Sequence, residues 1–166
     1  MKKWLYWLLP FTWMGVIFYA SAQPYQNQDI KPFLSSTIDL SFLTPYLEGL
    51  SFTYHQSEVS IATLGVNGVV EFFVRKGAHV TVFFILCLAF YMAFRKTTHI
   101  KFWRLIEYSL VLTIMYAAID EIHQGFTPNR TPYIGDVFLD SFGAILAVIT
   151  IILFQWIKRL RKPSVK

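Results

Sequence analysis

Four stretches of the chain stay apolar for close to the ~20 residues a helix needs to cross roughly 30 Å of hydrocarbon. They are "WLYWLLPFTWMGVIFYASA" at 4–22, "AHVTVFFILCLAFYMAF" at 78–94, "FWRLIEYSLVLTIMYAAI" at 102–119 and "VFLDSFGAILAVITIILFQWI" at 137–157. The second can be extended backward to Gly68, and the third is weakened by Arg104 and Glu107 near its start. This pattern predicts an all-α fold, an integral membrane four-helix bundle forming one domain over residues 1–166. Residues 23–70 between the first two spans carry Pro24, Pro32, Pro45 and Gly49, but also the alternating stretches "IDLSFLTPYLEGLSF" and "SIATLGVNGVVEFF". Such alternation predicts short interfacial helices lying on the outer leaflet. Tyr6, Trp7, Tyr19, Tyr91, Trp103, Tyr133 and Trp156 fall near predicted span ends, where amphipathic rings favour the headgroup region. No internal repeat or low-complexity tract interrupts the pattern.

Composition strengthens the membrane reading. The 166 residues are 55% hydrophobic and only 15% charged, with a mean hydropathy of +0.45, too apolar for an ordinary soluble domain. A net charge of +5 raises the question of nucleic acid, which the positions of the basic residues answer. They cluster as Lys2 and Lys3; Arg95, Lys96, Lys101 and Arg104; and Lys158, Arg159, Arg161, Lys162 and Lys166. In a four-pass path all three clusters share one side, which the positive-inside rule makes cytoplasmic together with both termini. No nucleic-acid partner is expected. The acids Asp29, Asp39, Glu48, Glu58 and Glu71, with Asp120, Glu121, Asp136 and Asp140, fall on the outer side.

Lys2 and Lys3, an apolar run and "ASAQ" at 20–23 also fit a cleaved secretory signal. The run is long and Trp-rich for that role, so a retained span is expected. Cys87, the lone cysteine, lies inside the second span and reads as a packing residue. His99 belongs to the basic loop as part of a charge patch against anionic lipid. His55 lies in the outer loop with no evident partner.

The candidate chemistry is concentrated at span ends. "EFFVRKGAHV" sets Glu71, Arg75 and His79 four residues apart on one helical face, with Lys76 beside them, and Glu71 with Arg75 is a favourable pair at that spacing. Asp136, Asp140 and Gly143 share a face at the start of the last span, and Gly143 with Ala147 forms a small-residue pair that admits another helix. Asp140 therefore faces the bundle, with Arg75, Lys76, His79 or Arg130 as its partner. At the end of the third span Asp120, His123 and Gln124 share a face while Glu121 points about a quarter turn away. In "GFTPNRTPYIGD", Gly125 can stop the helix, Pro128 cannot continue it, Asn129 suits a turn, and Arg130 returns over the bundle mouth. Ionisable groups in a membrane are functional candidates by default. Arg75 and Arg130 fit as holders of a phosphate headgroup, with Lys76, Glu121, Gln124 and Asp136 around them. His79, His123, Asp120 and Asp140 are the candidates for acid–base chemistry, histidine being the side chain that most readily moves protons near neutral pH. Asp120 and His123 lack an HExxH or paired Glu-x-x-His context, so neither a metal nor another cofactor is expected.

"YASAQP", "VRKGAHVTVFFILCLAF" and "DEIHQGFTPNRTPYIGDVFLDSFGAILA" together resemble the VanZ-like family of small bacterial membrane proteins. That family pairs an R-K-x-x-H segment with D-E-x-x-Q, a following Arg and an Asp-rich start to the last helix. Here these match Arg75, Lys76 and His79; Asp120, Glu121 and Gln124; Arg130; and Asp136, Asp140 and Gly143. The resemblance covers nearly the whole chain and is strongest over 75–147; Thr131, Pro132 and Tyr133 depart from the small polar residues expected in the loop. It implies a multi-pass protein of the bacterial cytoplasmic membrane. It also implies an envelope role linked to resistance to the glycopeptide teicoplanin; the polar constellation itself points to a membrane lipid or lipid-linked envelope precursor as partner. The alternatives are an acid–base enzyme acting on a lipid-linked substrate and a non-catalytic scaffold.

Overall fold

The computed structural model describes residues 2–128 and 130–161. Lys162 and Lys166 of the last basic cluster, and the turn residue Asn129, lie outside the described residues. A 3₁₀ turn, Lys3–Trp7, leads into α1, Leu8–Ser21. Then come α2, Lys31–Thr37, and α3, Thr44–Leu47, each with proline in its first turn, where the missing N–H costs nothing. A hairpin of β1, Ser51–Tyr54, and β2, Ser57–Ser60, precedes three long helices. These are α4, Ile61–Thr97; α5, Phe102–Gln124; and α6, Ile134–Leu160.

Two of these helices, α4 and α6, are long and apolar enough to cross a membrane among the described residues. The other two predicted spans fall short of that test. Helix α1 has 14 residues, its apolar run continuing only as the preceding 3₁₀ turn. Helix α5 has 23 residues but carries Arg104 and Glu107 at one end and Asp120 and Glu121 at the other. The outward faces of all four are nonetheless apolar, with Phe11, Phe18, Met115, Phe138, Ile149 and Phe154 exposed. Meanwhile Ser109, Thr113, Asp120 and Asp140 are buried. Polar inside and apolar outside is the arrangement lipid permits and water penalises.

The all-α expectation needs correction in the first loop. The chain there forms α2 and α3, but also an antiparallel pair in which Ser51 faces Ser60 and Tyr54 faces Ser57. The two connecting residues, His55 and Gln56, both have positive φ, 45° and 63°, the backbone a two-residue hairpin turn demands. That turn usually advertises itself with Asn or Gly, and His-Gln does not. The last residues of the 23–70 segment are helical. Helix α4 starts at Ile61, where the Ser60 hydroxyl accepts the Thr63 N–H at 3.3 Å as an N-cap. It breaks once at Gly65, whose φ of 67° suits glycine. Beyond the break it still runs to Thr97, roughly 45–50 Å at 1.5 Å per residue, longer than the roughly 30 Å a hydrocarbon layer requires.

Helix α4 is the hub and packs most extensively on α6. A Cβ on Gly143 would lie 2.2 Å from the Val80 carbonyl oxygen, so only glycine permits this approach, and Ala144, Ala147 and Cys87 fill the seam below it with full burial. On its other side α4 meets α1 and α5 through Ile17, Phe83, Leu86, Phe90 and Tyr116. The Trp13 indole donates to the Val82 carbonyl at 2.9 Å and the Tyr116 hydroxyl to the Met14 carbonyl at 2.6 Å, pinning α1 in place. The 3₁₀ turn joins the end of α4 through Trp7 against Phe94 and Lys96 over Tyr6, so Lys3, Lys96 and their neighbours gather at the end of the bundle away from Asp120 and Asp140.

Candidate functional site

At that opposite end the last turn of α1, the early turns of α4, the end of α5, the α5–α6 loop and the start of α6 converge. Arg75 and Lys76 on α4 each meet a carboxylate. Arg75 donates to Glu71 at 2.6 Å, one turn earlier, and Lys76 pairs with Asp136 of α6. Tyr54 of the hairpin also donates to Asp136 while its ring lies under the Lys76 ammonium, 4.4 Å from the centroid. Burial and the Asp136 charge raise the Tyr54 phenol pKa well above its ordinary value, so it stays a donor.

One turn below, His79 Nδ1 lies 3.2 Å from Asp140 Oδ1, a geometry in which the ring N–H donates to the carboxylate. Asp140 is 1% exposed, and its Oδ2 has no partner among the described residues. The sequence offered Asp140 four candidate partners, and the structure selects His79. The close approach at Gly143 brings the two helices near enough for that contact.

Asp120 and Glu121 are both buried near the end of α5. Asp120 Oδ2 accepts from the Ser21 hydroxyl at 2.7 Å and the Gln124 amide at 2.9 Å; Glu121 Oε1 accepts the Tyr133 backbone N–H at 2.6 Å. Their second oxygens, Asp120 Oδ1 and Glu121 Oε2, have no partner among the described residues. The Gln124 amide oxygen in turn accepts from Arg130 Nη1 at 2.9 Å, and Arg130 Nη2 donates to Gln28. Among the described residues no carboxylate pairs with Arg130. Burial first, then the nearby Arg75 charge, lowers its pKa, with Asp120, Glu121 and Asp136 opposing. A guanidinium keeps its proton regardless, so this end of the bundle holds a half-buried cation whose direct partners are neutral amides.

Two cavities open here. One, of about 410 Å³, is lined by charged groups of α4, α5, the α5–α6 loop and α6, including Arg75, Lys76, Glu121, Arg130 and Asp136, and is roofed by Tyr54 and His55. The other, of about 230 Å³, lies between α1 and α4, with Val16, Ile17, Ala20, Val82 and Phe83 on its walls and Asp120 at its end. Arg75, His79 and Arg130 line both.

Nine of the ten predicted site residues come together in this region. His123 does not. It points away from Asp120 and Gln124, stacks on Phe18 at 3.8 Å, and leaves Nδ1 buried without a partner among the described residues. Three residues apart is 300° around a helix, and the 60° that remain suffice to turn a side chain from the cleft to the α1 surface. Residues not anticipated are Ser21, Gln28, Tyr54 and His55. Ser21 stands within "YASAQP", and its serine in an apolar run was a usable signal. The others come from the first loop, whose fold over the cleft no local pattern encodes; His55 stacks on Tyr133 at 4.6 Å. Gly125 ends α5 as expected, but not through a left-handed backbone. Its φ is an ordinary −63°, and glycine is needed because a Cβ would meet the Pro132 ring at 2.4 Å.

Helices apolar on the outside and charged at one inner end define a membrane-associated helical protein with a polar cleft. The VanZ/LLP1 family model matches residues 6–155, and the chain belongs to that family. No curated protein and no solved structure matches it.

Proposed function

We propose that the chain crosses the bacterial cytoplasmic membrane four times, with both termini cytoplasmic, and that its outer cleft holds the anionic headgroup of a membrane lipid or lipid-linked envelope precursor. One observation carries this reading: Arg130 is half-buried beside Arg75, and its direct partners are the amides of Gln28 and Gln124. Burying a cation without a directly bonded anion is costly, and an Arg pair suits the oxygens of phosphate, to which guanidinium bonds in a bidentate manner. Of the acids nearby, Asp136 is engaged by Lys76 and Tyr54 and Asp140 by His79, while Asp120 and Glu121 bond neutral donors and none of the four bonds Arg130 directly among the described residues. The four-pass path is supported by the gathering of the basic segments at the end of the bundle away from the cleft.

Native mass spectrometry of lipid co-purified with wild type and with Arg130→Ala tests the proposal. A phosphate-bearing lipid retained by the wild type and lost from the variant is expected. Equal retention by both, or phospholipid of no particular kind on each, argues for a scaffold. Under the same reading, teicoplanin resistance is a consequence of precursor occupancy, and susceptibility of cells with and without the protein measures it.

A second reading, acid–base turnover of a lipid-linked substrate, is favoured by His79 itself. It contacts both cavities, and a buried carboxylate fixes its ring through Nδ1, as such sites fix a general base. His79→Gln separates the two: loss of turnover with the lipid still bound supports an enzyme, and unchanged envelope phenotype supports holding alone.

A further inference from the structure

The second cavity asks what fills it. It is a lateral groove between α1 and α4, its mouth flanked by the exposed Val16, Ala20 and Ala78 and its floor made by the buried Ile17 and Phe83. Its upper end is closed by Arg75, His79 and Arg130, the same side chains that line the charged cleft. A polar chamber and an apolar one therefore meet at two guanidiniums, and each matches one half of an amphiphile. We propose that the groove receives an acyl chain of the phospholipid whose phosphate sits between Arg75 and Arg130, so that the lipid enters sideways between α1 and α4. This rests on the headgroup reading and adds to it the class of ligand, a hydrocarbon chain bearing phosphate, and its path.

The continuity of the two cavities at Arg75 and Arg130 selects this occupant. A soluble anion would leave the groove's walls without contacts. An apolar void forfeits the dispersion of its lining atoms, which a chain restores. Because lipid tails are as apolar as the groove, the chain adds little hydrophobic affinity. Its effect is to orient the headgroup and to set the path by which the lipid enters.

Two measurements on the full-length protein test this. In the first, a phosphatidylglycerol carrying a photoreactive diazirine in the upper third of one chain is irradiated with wild type in bilayers. Adducts concentrated on Val16–Ser21 and Ala78–Phe83 are expected. Adducts spread over the exposed faces, such as Phe138, Phe142 and Ile149, overturn the proposal. In the second, Ala78→Phe fills the mouth of the groove. Retention of dioleoyl phosphatidylglycerol is expected to fall about tenfold while glycerol 3-phosphate binds within about twofold of wild type. Undiminished lipid retention overturns the groove. If Arg130→Ala loses the lipid and Ala78→Phe keeps it, the groove fails and the headgroup reading survives; if Arg130→Ala keeps it, the headgroup reading itself fails. Should Ala78→Phe lose both probes, the wild-type cross-linking pattern decides.

Discussion

The two sides of α4 solve opposite problems. Toward α6 the helix has no space to give: Gly143 lies against the Val80 carbonyl, and Ala144, Ala147 and Cys87 close the seam without a gap. Toward α1 the same helix leaves a groove of about 230 Å³, although Trp13 and Phe83 hold the two helices together beside it. Small residues on one side bring backbones together; on the other, Ala20 and Ala78 leave the space between the helices unfilled. A small residue in an apolar helix thus signifies contact or vacancy depending on what faces it. The closed side sets the distance between His79 and Asp140, and the open side gives access to Arg75 and Arg130.

The largest effect is expected at the closed side. Gly143→Leu drives a side chain into a backbone carbonyl that cannot move aside, a clash at or beyond the upper end of the roughly 1–3 kcal/mol typical of overpacking. No monodisperse folded peak should survive in detergent, and a variant as well behaved as wild type breaks the comparison. On the open side Arg130→Ala should fold and weaken retention of phosphatidylglycerol about 10–100-fold, or about 1.4–2.8 kcal/mol. Arg130→Lys should recover only part of this, since an ammonium is not a planar fork.

Smaller effects sharpen the boundary between the two sides. Ser21→Ala removes a donor from the buried Asp120 and should cost about 1 kcal/mol in thermal unfolding, with no more than a minor change in lipid retention. His123→Gln should be the mildest. It breaks no hydrogen bond among the described residues and loses only the stack on Phe18, about 0.5 kcal/mol, with binding changed less than about twofold. A large loss of binding there would return His123 to the cleft.

The sequence carried more of the site than of its cover. Glu71 with Arg75 and Asp136 with Asp140 are set by helical spacing, which is local, so their shared faces were legible. So was the closeness signalled by Gly143. His123 was misplaced because three residues around a helix leave a side chain at the edge of a face, where the neighbouring helix decides its direction. The hairpin roof was not legible, since His55 and Gln56 adopt positive φ against their own preference, held by cross-strand bonds and by the His55 stack on Tyr133. The partner of Arg130 across the cleft, Gln28, comes from a turn of 3₁₀ helix more than a hundred residues earlier, a distance no periodicity spans.

Arg130 meets no carboxylate among the described residues, and on this account it takes its anion from a lipid. Gln28→Glu tests that most directly, because it leaves Arg130 in place and supplies a negative charge from within the chain. Retention of phosphatidylglycerol, measured by native mass spectrometry on the folded variant, is expected to fall about as far as in Arg130→Ala, roughly tenfold or more. Retention equal to wild type, with the introduced carboxylate paired to Arg130, would contradict it.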